Sequence, residues 1–181
     1  MARTHEVKKS QKQHRCYGCG QPIEVGQPYK WFKMKMARGG IKKTYHTGCN
    51  IPPSHRTTSR MGQIWDAQAS LDLSGATSED EVLTELASFA ETVREVATEY
   101  SESADNMESG FGHSTYQSDE LREKGEALES WADDLENWSF NGDEEPTQDE
   151  GESDDDYEQR VEDWRQEIRD EAQGEVDNCP V

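Results

Sequence analysis

The sequence predicts a small α+β unit, a β-hairpin or small antiparallel sheet, followed by an acidic α-helical hairpin or coiled coil and disordered linkers. Three observations predict it. A short N-terminal stretch alternates aromatic and basic residues between two pairs of Cys and His side chains. Apolar residues then recur at helical steps along the rest of the chain. Finally, only 31% of the 181 residues are hydrophobic while 32% are charged. That is too little apolar material for one large core, so a small ordered head, helices and connectors are expected instead.

Taken in order, residues 1–13 read as a basic, disordered arm. Residues 14–53 form the cysteine-bearing module, which Pro52 and Pro53 terminate because neither continues a helix. Residues 54–77 are a connector with one short helix, in which Ile64, Ala67 and Leu71 share a face. Residues 78–140 are an acidic helical hairpin. Ser78 and Glu81 make a reciprocal cap, and Val82, Leu86, Phe89, Val93, Val96 and Tyr100 make a seam with alternating steps of four and three. After the glycine-bearing connector 108–117, Leu121, Leu128, Trp131, Leu135 and Trp138 repeat the pattern. Gly125 weakens the second helix by about 1 kcal/mol relative to alanine. Residues 141–155 are an acidic, disordered linker, 156–173 a C-terminal helix with Val161, Trp164 and Ile168 on one face, and 174–181 a tail.

The net charge of −20 conceals a division. Residues 1–65 carry thirteen Lys and Arg against Glu6 and Glu24, a balance of +11, whereas residues 66–181 carry six basic and thirty-seven acidic residues, a balance of −31. A basic head suits phosphates. An acidic body repels nucleic acid and must point away or fold back on the head. No stretch is apolar enough to span a bilayer, so no membrane association is expected. The basic N-terminus has no hydrophobic segment behind it, which argues against a secretory signal and for the cytoplasm.

Three of the four cysteines cluster, in the pattern Cys16-x2-Cys19-x26-His46-x2-Cys49. A two-residue gap lets each pair turn onto one tetrahedral ion, and Gly18 and Gly20 ease the first turn. Three thiolates and one imidazole leave no open position, the donor set of one structural Zn2+. Such sites bind with about 10–16 kcal/mol, enough to hold a module of this size together. A redox Cys-x-x-Cys and His14 in place of His46 are the competing readings; Cys179, beyond the acidic linker, reads as a free thiol.

Cys16-Tyr-Gly-Cys19, Ile23, Gly26, Tyr45-His46 and Cys49 together resemble the poly(ADP-ribose) polymerase-type zinc finger, over 34 of the 181 residues. The resemblance implies a finger that meets DNA ends and breaks through backbone contacts and base stacking. It also implies a stand-alone finger of the kind found in small bacterial or bacteriophage proteins, hence the host cytoplasm if the chain is viral. Thr44 and Asn50 stand where the polymerases have hydrophobic residues, and the polymerase catalytic region is absent.

Independently of that resemblance, residues 28–36 alternate as a strand does, with Tyr29, Trp31, Lys33 and Lys35 on one face and Lys30, Phe32, Met34 and Met36 on the other. Residues 37–40 turn and 41–46 pair back. The Phe32/Met34/Met36 face is expected to cover the metal, leaving Trp31, Lys33 and Lys35 outward with Lys42 or Lys43 beside them. Lysines neutralise phosphates and Trp31 stacks on a base, which makes DNA the expected partner and Arg15, Lys30, Trp31, Lys33, Lys35, Arg38, Lys42 and Lys43 the expected contacts. No nucleophile–base pair or phosphate loop stands out, so no enzyme is expected. The acidic helices suit assembly, with a protein partner or self-association through residues 78–140, or regulation. The alternatives are an adaptor whose zinc is purely structural, or an acidic DNA mimic.

Overall fold

The computed structural model describes residues 3–36 and 39–181, and of Lys35, Met36 and Gly39 the backbone. Two compact units divide the chain, Met1–Asp66 and Ala67–Val181.

The first unit contains two small antiparallel sheets. β1 (His5–Val7), β4 (Tyr29–Met36) and β5 (Gly39–His46) make one, in the order β1-β4-β5; β2 (His14–Arg15) and β3 (Pro22–Ile23) make the other. Tyr29 lies opposite His46, Trp31 opposite Thr44, Phe32 opposite Lys43 and Lys33 opposite Lys42. The alternation along β4 sends Phe32 and Met34 into a core with Cys16, Ile23, Tyr45 and Ile51. Phe32 stacks on Tyr45 at 5.8 Å between ring centroids. Tyr29 is also buried, although it lies on the opposite face of β4. A 3-10 turn, Pro53–Arg56, follows the sheet, and the Tyr45 hydroxyl meets His55 Nδ1 at 2.8 Å.

The expected disordered arm is corrected here, because His5–Val7 pair with Trp31–Tyr29. The pairing covers an edge of β4 that otherwise presents unbonded amides, and Val7 adds apolar contact with the core. The loop that follows is clasped as well. The Ser10 N–H donates to the Gln27 carbonyl at 2.8 Å, and the Ser10 carbonyl accepts from the Gly26 N–H at 2.8 Å. The turn expected at 37–40 falls partly outside the described residues, and with it Arg38.

The connector helix is α1 (Met61–Ser70). The second unit is built on α2 (Glu79–Phe111), α3 (Tyr116–Glu136) and α4 (Asp154–Asp177). Phe89 meets Trp131, Arg94 meets Asp133, and Arg122 meets Asp105. From the Arg94–Asp133 pair through Gly125 beside Ala97 to the Arg122–Asp105 pair, the positions rise along α2 as they fall along α3, so the two helices are antiparallel. Between them lie the buried Val82, Leu86, Phe89, Val93, Val96, Leu128, Trp131 and Leu135. Gly125 sits where the helices approach, and a Cβ there would lie 2.7 Å from Ser101 Oγ and 3.1 Å from the Ala97 carbonyl oxygen. Ser78 caps α2 by accepting from the Glu81 N–H, but the Glu81 carboxylate takes the Thr77 N–H at 2.7 Å rather than that of Ser78. Thr115 and Ser118 cap α3 reciprocally.

α4 is longer than residues 156–173, since Ser153 caps it and Val176 is still buried. Trp131 Nε1 donates to the Glu175 carbonyl at 3.0 Å, which ties α3 to α4. Residues 139–153 carry no helix or strand. They are nevertheless held: the Phe140 N–H donates to Glu79, Trp164 Nε1 donates to the Asp143 carbonyl, and Arg160 donates to the Thr147 carbonyl. The expected free linker is therefore corrected to a tethered one. Trp164 packs edge-on against Phe140 and is half-buried. Among the described residues, no helix is long and apolar enough to cross a membrane.

Candidate metal centre

Two turns bring four donors together. In the first, the Gly20 N–H donates to the Cys16 carbonyl at 3.0 Å and the Cys16 N–H to the Gln21 carbonyl at 2.9 Å. Gly20 has φ 72°, a left-handed conformation that a side chain would strain. In the second, the Cys49 N–H donates to the His46 carbonyl at 3.1 Å. The turns are locked together by the Tyr17 N–H donating to the Thr44 carbonyl and the Thr44 hydroxyl donating to the Arg15 carbonyl, both at 2.8 Å. Thr44 thus fills a buried position with a satisfied polar group. At Gly18 a Cβ would come within 3.4 Å of Cys49 Cβ, so the turns are also closely packed.

The donor atoms of Cys16, Cys19, His46 and Cys49 all lie within 4.8 Å of one another. Cys16 Sγ and Cys49 Sγ are 3.7 Å apart, far beyond a disulfide bond. His46 Nδ1 is 3.4 Å from Cys19 Sγ and 3.8 Å from Cys49 Sγ. An ion at the centre of a tetrahedron with bonds of about 2.3 Å to sulfur and about 2.0 Å to nitrogen separates its sulfurs by about 3.8 Å and sulfur from nitrogen by about 3.5 Å. The three separations fit. His46 Nε2 is 3.2 Å from the Pro22 carbonyl oxygen. A proton there makes Nε2 the donor and frees the Nδ1 lone pair for the ion.

The thiols respond unequally to the cluster. Burial raises the Cys16 thiol, but N–H groups of Cys19, His46 and Gly18 favour the thiolate and bring it down to about 6. Burial and the neighbouring Cys16 and Cys19 sulfurs push Cys49 up to about 11. Three thiolates at this spacing repel one another, and a dication at their centre removes that conflict. The cluster is thus compatible with a single metal ion. His14, the competing ligand, instead packs its ring against Tyr29 at 4.9 Å. Cys179 lies in the other unit.

The expected nucleic-acid contacts divide between two faces. Lys33 and Lys42 are directly opposite across β4 and β5, on the face that carries Trp31. Lys42, not Lys43, is the lysine beside Trp31. Lys43 lies opposite Phe32, with Nζ 5.4 Å from the Tyr17 ring centroid, and burial lowers its pKa. Lys30 faces Glu6 on β1. Arg15 Nε donates to the Gly20 carbonyl at 3.3 Å. Lys35 is described only as backbone, and Arg38 lies outside the described residues. Trp31 is half-buried and already engaged: His5 stacks on it at 4.5 Å, and Lys42 Nζ lies 4.3 Å from its centroid. The contribution of His5 escaped sequence reasoning because it depends on β1.

No family model, curated protein or solved structure matches the chain.

Proposed function

We propose that the chain is a non-catalytic zinc protein whose N-terminal unit binds DNA through its phosphate backbone. The observation that carries this reading is the Lys33–Lys42 pair. Like charges directly opposite on a sheet destabilise it, and among the described residues neither lysine has a carboxylate partner. An incoming phosphate supplies the missing counter-charge. In the acidic unit, by contrast, Arg94, Arg122, Lys124, Arg160, Arg165 and Arg169 all pair with carboxylates. Arg15 adds a further cation, and Lys30 and Lys43 contribute from the other face of the sheet. Zinc is supported by the three-thiol, one-imidazole donor set and by three donor separations of 3.4–3.8 Å that match a tetrahedral site. The resemblance to the poly(ADP-ribose) polymerase-type finger supports the same partner. The engagement of Trp31 by His5 and Lys42 favours backbone contact over base stacking.

The test is binding of a labelled duplex to the zinc-loaded full chain at increasing salt. A protein neutralising two or three phosphates loses affinity with a log–log slope of about −2 to −3. Lys33→Glu with Lys42→Glu should abolish binding while zinc content is retained. Unaltered binding by that variant contradicts the proposal.

One observation favours a second reading, an adaptor working through residues 78–140. Phe111 and Tyr116, flanking the α2–α3 turn, are 65% and 82% exposed. Concentration-dependent sedimentation that Tyr116→Ser and Phe111→Ser abolish supports it, whereas a monomer throughout removes self-association.

A further inference from the structure

Deepening the DNA reading, on which it rests for the source of the ligand, we propose that a cleft beside the sheet binds a phosphate monoester, the terminal phosphate of a nucleic-acid strand. The cleft has a volume of ≈ 580 Å³ and is lined by Lys9, Gln11, Lys12, His14, Tyr29 and Lys42. Its walls come from β1 and the following loop on one side and from the β4–β5 sheet on the other. The walls are fixed by the β1–β4 pairing, by the two Ser10 backbone bonds to Gln27 and Gly26, and by the β2–β3 pairing that holds His14 opposite Ile23. Lys42 is held over two aromatic rings, with Nζ 4.3 Å from the Trp31 centroid and 5.5 Å from that of Tyr29.

The chemistry of the lining selects the ligand. Three ammonium groups border the cleft and no carboxylate does. Among the described residues, none of the three makes an ion pair. A phosphodiester brings one negative charge, whereas a monoester brings about 1.5 to 2 at neutral pH and three acceptor oxygens. Gln11 and His14 add further hydrogen-bonding groups, and Tyr29 supplies an apolar wall next to a sugar or base. A strand end therefore satisfies the cleft better than an internal phosphate does.

The experiment uses the zinc-loaded full chain and three otherwise identical blunt duplexes, with 5′-phosphates, with 3′-phosphates, or with hydroxyls at every end. One phosphorylated duplex should bind about five- to tenfold tighter than the hydroxyl-ended one, the effect of an added charge-assisted contact. Lys12→Gln, at an exposed position, and separately Lys9→Gln, should reduce that ratio towards one. Equal affinity for all three duplexes overturns the inference and leaves the DNA reading standing, whereas no binding of any duplex overturns both. Inorganic phosphate and a phosphoserine peptide serve as competitors. If either displaces the phosphorylated duplex as effectively as unlabelled duplex does, the assignment to a strand end is overturned.

Discussion

Thr44 connects the two turns of the candidate metal centre through two hydrogen bonds. Its hydroxyl bonds the Arg15 carbonyl one residue before Cys16, while its own carbonyl receives the Tyr17 N–H one residue after. Thr44→Val removes the hydroxyl and leaves the Arg15 carbonyl without that donor. The expected cost is about 1–3 kcal/mol of stability, read by thermal or urea unfolding of the zinc-loaded chain, and Thr44→Ser should recover most of it. The four donors that gather in the cluster were legible in the sequence because each pair is local, with two residues between its members. The role of Thr44 was not legible, because its partner lies 29 residues away and the connection exists only once β5 passes β2. His46 over His14 was legible by spacing alone. The covering of Trp31 by His5 was not, since nothing local announces that a basic segment will form a strand.

At the scale of elements, the helices followed their heptad steps, and the seams Val82–Tyr100 and Leu128–Leu135 are buried as that spacing requires. Gly125 shows what spacing misses. Read as a lone helix residue it is a weakness, and alanine should improve it. In the antiparallel pair it provides room, because the added Cβ meets both Ser101 Oγ and the Ala97 carbonyl. Gly125→Ala should therefore destabilise the helical unit by about 1–3 kcal/mol, the usual cost of overpacking, seen as a lower urea midpoint by circular dichroism. The Arg122 bridge gives a pH-dependent expectation. Its hydrogen bond holds the Glu108 carboxyl below the ordinary carboxylate range. A depressed folded pKa stabilises above the unfolded value and loses that contribution as the pH falls through the folded one. The difference in urea midpoint between the native chain and Arg122→Met should be full above about pH 5 and shrink as acid protonates Glu108. A difference that grows in acid contradicts this assignment.

Across the whole molecule, charge and core are partitioned along the chain. The N-terminal unit centres on Phe32, Tyr45, Ile23 and a ligand cluster, and the acidic unit on its own helical seam. That two-part organisation was visible in composition, because the charge balance changes sign after the cluster of three cysteines. The ordering of β1 and the tethering of residues 139–153 were not, because low hydrophobicity reads as disorder until long-range hydrogen bonds form. A metal that supplies folding energy to only one unit predicts a selective response. Chelation should collapse the amide dispersion of residues 5–56 while the helical signals of residues 79–177 persist.

The most direct test is the metal content of the purified full chain, measured by elemental analysis alongside native mass spectrometry. One zinc per chain is expected, lost in Cys16→Ser and Cys49→Ser together with the ordered N-terminal sheet. A chain that holds no metal, or one whose sheet remains intact in both variants, contradicts it.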